Sequence, residues 1–324
     1  MTITYKQAIT RAMADELEAD EDVFVIGEDV GAAGGAFKTT DGLYERFGPR
    51  RVLDTPISEQ AIIGTAIGAA VQGLRPLAEI MFADFAGVCF DQIANELAKY
   101  RYMTGGQVTV PVTVRMANGA GTGFGSQHSQ AVENWFLNVP GLKIVVPATP
   151  VDAYALLRAA VRDPDPVLYF EHKGLFNVKG ELPDDVAPAA IGRAQVVRRG
   201  AHATVVATQL MLHRALEAAE ALAAEGVSVE VIDPRTLVPL DLAPVIESLD
   251  ATNHLVVVQE APPGGSWGAT LIARVLQERF EALDAPPLLL GTDETPVPYS
   301  GGLEAAWMPS VERIADAIRR TLAY

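Results

Sequence analysis

The sequence predicts an α/β protein made of two domains, each built on a parallel sheet. Three observations carry this reading. Short apolar strands alternate with helices along almost the whole chain, the pattern of parallel sheets covered by helices on both faces. From Lys173 to about Gly192 that pattern dissolves into Gly, Pro and Asp, as a linker does. At 324 residues the chain is long enough for two hydrophobic cores. The expected domains are residues 1–190, with the linker opening near 173, and residues 191–324.

In chain order, Ala8, Met13 and Leu17 at helical spacing predict a surface helix over Thr4–Glu18. Val23–Ile26 is a short strand ending at Gly27-Glu28-Asp29. Acids at the carboxyl end of a strand sit where open parallel sheets place ligands, so Glu28 is either a loop acid or a group lining a site. Leu77–Phe82 is a strand, followed by Phe85 and a helix over about Asp91–Met103. Val110–Met116 is the next strand, then a loop, NGAGTGFGSQHSQ, in which four glycines alternate. No Gly-Lys-Ser/Thr follows, so it is not a P-loop, and its third glycine is misplaced for a dinucleotide fingerprint. His128 leaves this loop, and a histidine exposed to a cleft is suited to move a proton near neutrality. Strand Leu142–Pro147, helix Pro150–Asp163 and strand Val167–Glu171 complete the first domain. The second repeats the alternation: strands at His202–Ala207, Ser228–Asp233, His254–Gln259 and Pro287–Gly291, and helices at Leu210–Glu225, Leu242–Leu249, Ala269–Phe280 and Val311–Ala323.

The most informative stretch is Arg51–Gly73, RVLDTPISEQAIIGTAIGAAVQG. Pro56 biases Thr55 away from helix, so the helix starts after it. Ser58 is the expected cap, its hydroxyl free to accept from a backbone N–H. Glu59 then sits in the first turn, where the helix dipole favours a negative charge. The residues beyond it are apolar or small on nearly every side, which predicts a helix buried all round, with Gly64 and Gly68 permitting close backbone approach. A carboxylate at the mouth of such a helix is either a capping charge or a partly desolvated group suited to proton exchange.

Composition excludes several classes. The hydrophobic fraction is 49% and the charged fraction 20%, which is globular. No apolar run reaches membrane-spanning length. The opening MTITYKQAITRAMADEL lacks the pattern of a signal peptide. The single cysteine, Cys89, rules out an intrachain disulfide, and a reducing cytoplasmic location fits. A net charge of −16 argues against nucleic-acid binding and would steer a basic partner instead. Gly264-Gly265-Ser266-Trp267-Gly268 matches a hydrolase nucleophile elbow, but no histidine follows it, so it reads as a glycine-rich lead into a helix.

DTPISEQAIIGTAIGAAVQGLRP resembles the signature of beta subunits of the thiamine-diphosphate-dependent first enzyme of 2-oxo acid dehydrogenase complexes. GEDVG (Gly27–Gly31), EIMFADFAGVCFDQI (Glu79–Ile93), KYRYMTGGQ (Lys99–Gln107), GSQHSQ (Gly125–Gln130), VIDPRTLVPLD (Val231–Asp241) and QEAPPGG (Gln259–Gly265) fit the same family, in order. The resemblance implies a transketolase-like pyrimidine-binding domain followed by a transketolase C-terminal-like domain. It implies Glu59 as the carboxyl that hydrogen-bonds a pyrimidine nitrogen of the cofactor and His128 as a catalytic histidine. Phe85 would pack on the aminopyrimidine ring, Ile57 and Met81 would complete its apolar walls, and Glu28 would line a proton passage between coupled sites. It also implies a structural potassium ion held by backbone at Val112, Ala160, Val161, Asp163 and Asp165.

Relatives hold Mg²⁺ and the diphosphate through a Gly-Asp-Gly motif, which this chain lacks; Asp41-Gly42 is the nearest trace. The resemblance therefore implies a separate alpha subunit that brings the metal, in a heterotetramer of two chains of each kind. It also implies docking to a dihydrolipoyl acyltransferase core through a small basic subunit-binding domain. The substrate class is a 2-oxo acid, pyruvate or branched-chain, with acyl transfer to lipoyl groups; acetoin is the alternative. Residues 171–182, EHKGLFNVKGEL, lean towards the acetoin and branched-chain branches. A scaffold without cofactor and a self-sufficient transketolase-type enzyme are the competing readings, the second opposed by the missing motif.

Overall fold

The computed structural model describes all residues, Met1–Tyr324. They form two compact units, Met1–Asn118 with Trp135–Ile191, and Gly119–Asn134 with Gly192–Tyr324. Residues 119–134, which fall inside the contiguous range 1–190, are thus grouped with the second unit. The elements of the first unit are β1 (Thr2–Thr4), α1 (Tyr5–Ala19), β2 (Val23–Gly27), α2 (Leu43–Phe47), β3 (Val52–Asp54), α3 (Glu59–Val71), β4 (Arg75–Ile80), α4 (Tyr100–Met103), β5 (Thr113–Asn118), β6 (Lys143–Val145), α5 (Pro150–Arg162), β7 (Val167–His172) and β8 (Lys179–Glu181). Its main sheet runs β6-β7-β5-β4-β2-β3, every pair parallel. The strands are buried along their length because helices cover both faces, which is why they read as unbroken apolar runs.

Several local expectations are corrected. The first helix is not a surface helix: Tyr5, Ala8, Ile9, Ala12, Met13 and Leu17 are buried, and α1 packs along α5. The Glu16 carboxylate, carried inward with them, is clasped by Arg158 and Arg162 at 2.7 and 2.8 Å. The helix expected over Asp91–Met103 is a π-helical segment, Gln92–Leu97, followed by the short α4. The π-segment packs against α3. Helix α3 is buried on one face only: Ile62, Ile63, Ala66, Ile67 and Ala70 are covered, while Ala61, Gly64, Thr65 and Gly68 are exposed on this chain. Within the expected linker, β8 pairs antiparallel with β1, Thr2 opposite Glu181.

The second unit contains β9 (Gln195–Arg198), β10 (Ala203–Ala207), α6 (Gln209–Ala223), β11 (Val229–Asp233), β12 (Thr236–Val238), α7 (Ala243–Thr252), β13 (Leu255–Val258), α8 (Trp267–Arg279), β14 (Leu288–Leu290), α9 (Gly301–Trp307) and α10 (Val311–Leu322). Its sheet runs β14-β13-β10-β11-β9, parallel except for the edge strand β9. Ser266, the supposed elbow serine, is the N-cap of α8: its hydroxyl accepts from the Ala269 N–H.

Candidate active site

The cofactor-facing residues expected in the first unit gather at one edge of its sheet. Strands β4, β2 and β3 are neighbours, and all end on the same side. Glu28 follows β2, Ile57 and Glu59 follow β3, and Met81 and Phe85 follow β4. This is the carboxyl edge, where parallel sheets present ligands because the loops there diverge and helix N-termini point inward.

Glu59 is the first residue of α3 and only 8% exposed. The expected hydroxyl cap is not formed: Ser58 is at the N-cap position, but its hydroxyl donates to the Pro56 carbonyl at 3.0 Å. Burial first, and then the charge of Glu59, push the Glu28 carboxyl above its ordinary range, while a hydrogen bond from the Ser58 backbone N–H opposes the rise. Glu28 Oε1 and Thr55 Oγ1 are both buried there without a hydrogen-bond partner. Orphaned polar atoms of this kind are uncommon, and a polar group bound at the edge would satisfy them.

Around the acids the surface is apolar. Ile57 is 84% exposed, an unusual setting for a large aliphatic side chain. Phe85 is half-buried and meets Phe82 edge-on at 5.7 Å, and Phe37 meets Phe82 at 5.2 Å. Met81 lines a cavity of about 10 Å³ with Phe37, Thr39, Glu79, Arg115 and Glu171. Cys89 is fully buried, and burial followed by the charge of Glu59 pushes its thiol up to about 12. A carboxyl only 8% exposed, with the exposed Ile57 two residues before it and Met81 and Phe85 following the neighbouring strand β4, fits a flat aromatic heterocycle with one ring nitrogen to hydrogen-bond.

His128 lies in the glycine loop, which belongs to the second unit; its backbone N–H donates to Gly125 O at 3.3 Å. The potassium-type turn is in the first unit. There Lys143 Nζ lies 2.6 and 2.7 Å from the Asp163 carboxylate oxygens and 3.5 Å from Asp165, which also pairs with Arg101.

Sequence reasoning missed a buried ion cluster one strand away from the acids. Arg115 on β5 donates to Glu171 on β7 at 2.6 Å and to Glu79 on β4 at 2.8 Å, all three out of solvent. Its one visible signal is a charged residue interrupting each of three apolar strands.

Fold and site together define a two-domain protein of the transketolase type. Family descriptions match both units: "Transketolase, pyrimidine binding domain" over residues 1–179 and "Transketolase, C-terminal domain" over residues 192–314. Among curated proteins, the chain is 46% identical to the acetoin:2,6-dichlorophenolindophenol oxidoreductase subunit beta of Cupriavidus necator, over 99% of this chain and 97% of that one. It is 46% identical to the 2-oxoisovalerate dehydrogenase subunit beta of Bacillus subtilis, over 98% of each. The pyruvate dehydrogenase E1 component subunit beta of Rhizobium meliloti is 44% identical over 98% of this chain and 69% of its own length. A solved split-gene transketolase, described as an inactive beta4 tetramer, superimposes with a TM-score of 0.81 at 25% identity, covering 99% of this chain and 98% of that chain. The chain belongs to the family of beta subunits of the transketolase-like first component of 2-oxo acid and acetoin dehydrogenases. No helix is long and apolar enough to cross a membrane.

Proposed function

We propose that this chain is the beta half of a thiamine-diphosphate-dependent dehydrogenase that decarboxylates a 2-oxo acid and passes the acyl group to a lipoyl arm. The observation that carries the reading is the acid pair at the sheet edge: Glu59 buried at the start of α3, with Glu28 beside it. Bound thiamine diphosphate supplies the nucleophilic carbon and the electron sink for decarboxylation. This chain's residues orient it. Glu59 holds or donates the proton at a pyrimidine ring nitrogen, and its burial keeps water from competing for that bond. Phe85 offers a ring face, worth about 0.5–1.5 kcal/mol beyond area burial when stacked. Ile57 and Met81 close the apolar walls. Glu28, its carboxyl biased towards the protonated form, serves as a proton donor and acceptor beside Glu59, and His128 as a proton carrier on its loop.

Magnesium and the diphosphate are assigned to an alpha subunit, which makes the working unit a heterotetramer of two alpha and two beta chains. The uncovered small-residue face of α3, Ala61, Gly64 and Gly68, suits close packing against another chain. The surplus of acid over base suits a basic docking domain of an acyltransferase core. A potassium ion fits the Val112, Ala160 and Val161 carbonyls, each of which accepts one hydrogen bond and keeps a second lone pair. Lys143 holds the Asp163 and Asp165 carboxylates together beside that turn. A cytoplasmic location accords with the single reduced cysteine.

The similarity to both acetoin and 2-oxoisovalerate enzymes makes acetoin the second substrate to assay. The test is Glu59→Gln in the assembly with the alpha subunit, assayed with pyruvate, 3-methyl-2-oxobutanoate and acetoin. Turnover on the accepted substrate is expected to fall by at least about a hundredfold, with assembly intact. Near wild-type turnover would remove Glu59 from this role.

A further inference from the structure

Gly119, Gly121, Gly123 and Gly125 all adopt positive φ, at 86°, 89°, 76° and 73°. Alternating left-handed residues turn successive backbone N–H groups towards one side and form a concave anion-binding nest. Here the nest is filled by the chain's own carboxylates. Glu304, on α9, is 3% exposed. Its Oε1 accepts from Gly121 N–H at 2.9 Å and Gly123 N–H at 3.3 Å, and its Oε2 accepts from Gly123 N–H at 3.1 Å. Glu260, two residues beyond β13, accepts from Ala120 N–H at 2.5 Å. On the far side of the glycines Ser126 Oγ donates to Val297 O at 2.8 Å, and a Cβ on Gly125 would stand 2.9 Å from the Tyr299 ring. Every one of these groups belongs to the second unit.

A segment with four glycines in seven residues has the greatest backbone freedom to lose, so it does not hold one shape unaided. Charge-assisted hydrogen bonds from its N–H groups to buried carboxylates are strong enough to fix it. His128 stands two residues past Ser126, at the end of the clamped run.

We propose that Glu304 is a positioning residue for His128: by occupying the glycine nest it orders the loop before substrate arrives. This rests on the reading of His128 as the proton carrier. Glu304 touches neither substrate nor cofactor; it acts through the loop backbone. A displacement of about 1 Å at a reacting group costs on the order of a hundredfold in rate.

The experiment uses the holo assembly with its alpha subunit, carrying Glu304→Ala, Glu304→Gln or His128→Ala. Backbone hydrogen exchange over residues 119–128 is measured beside steady-state kinetics. Glu304→Ala is expected to raise exchange across the loop and to lower kcat by about ten- to a hundredfold. KM for the 2-oxo acid and the dissociation constant of the cofactor should stay within about twofold of wild type, a split that general loss of stability would not produce. Glu304→Gln, whose amide oxygen can keep the Oε1 contacts, is expected to recover most of both. Unchanged exchange in Glu304→Ala overturns the clamp. A loosened loop with wild-type kcat overturns its functional consequence. Full turnover by His128→Ala overturns the catalytic reading of His128, separately from the exchange result. If Glu304→Ala does not assemble, Gly123→Ala decides: its Cβ meets nothing within 4 Å but opposes the left-handed backbone, so faster exchange and lower kcat support the proposal and wild-type values overturn it.

Discussion

Two groups of acids lie in the first unit, one strand apart, and they are treated differently: Glu59, Glu79 and Glu171 are buried and Glu28 is half-buried. Glu79 and Glu171 flank Arg115 in the middle of the sheet, each within 2.8 Å of the guanidinium. Glu28 and Glu59 stand at the sheet's carboxyl edge with each other's negative charge and no cation to offset it. Arg115 offsets part of the cost of burying its two carboxylates, although burial still raises the Glu171 carboxyl above its ordinary range. At the edge Glu28 is raised by burial and then by the like charge of Glu59, with only a backbone N–H opposing the rise. The difference teaches that the same sheet pairs buried acid with a cation at its centre and leaves it without one at its carboxyl edge.

The largest test of this contrast is Arg115→Met. It strips the cation from two buried carboxylates and is expected to cost about 3–5 kcal/mol in denaturant unfolding. Adding Glu79→Gln and Glu171→Gln should return part of that loss. If Arg115→Met alone is as stable as wild type, the central cluster is not compensated in the way described.

A smaller effect is expected at the edge. Because the folded-state pKa of Glu28 is raised, the folded protein binds more protons than the unfolded chain above the ordinary value of 4.5. Its contribution therefore destabilises increasingly as pH rises from that value through the folded pKa. Glu28→Gln removes this contribution and should raise Tm above wild type at neutral pH, with the gap closing on acidification. Thermal scans across pH check it, and a gap that widens towards acid would reverse the sign argued here.

The smallest effect sharpens the reach of Glu59. With its thiol pushed up to about 12 and fully buried, Cys89 should resist a disulfide reagent at pH 8 and react at once in denaturant. Glu59→Gln should speed native labelling only slightly, since burial is the main cause. Rapid labelling of the native wild type would show the pocket around Glu59 to be open.

Much of the fold was legible because parallel strands covered on both faces read as unbroken apolar runs, and Val23–Ile26 and Val167–Glu171 show this plainly. The start of α3 was legible because Pro56 leaves few places for a helix to begin. Its exposed face was not, because small residues serve equally in a core and at a contact with another chain. The Arg115 cluster was hidden because it depends on register: Glu79 lies opposite Arg115, and Glu171 opposite Ala117. No local pattern sets three strands side by side. The contact of Glu304 with the glycine loop was hidden by distance, 183 residues from the amide it accepts from. The four alternating glycines did signal a special loop, but not which anion would fill it.

The ribbon between β1 and β8 has a consequence for how the protein is made. Its pairing joins Thr4 to Lys179 and Thr2 to Glu181, so the first unit is stitched shut by its own extremities. On a ribosome adding about 5–20 residues each second, the opening strand waits on the order of ten to forty seconds for its mate. For most of that interval, until Pro150–Arg162 has been made, the apolar side of α1 has no α5 to rest on.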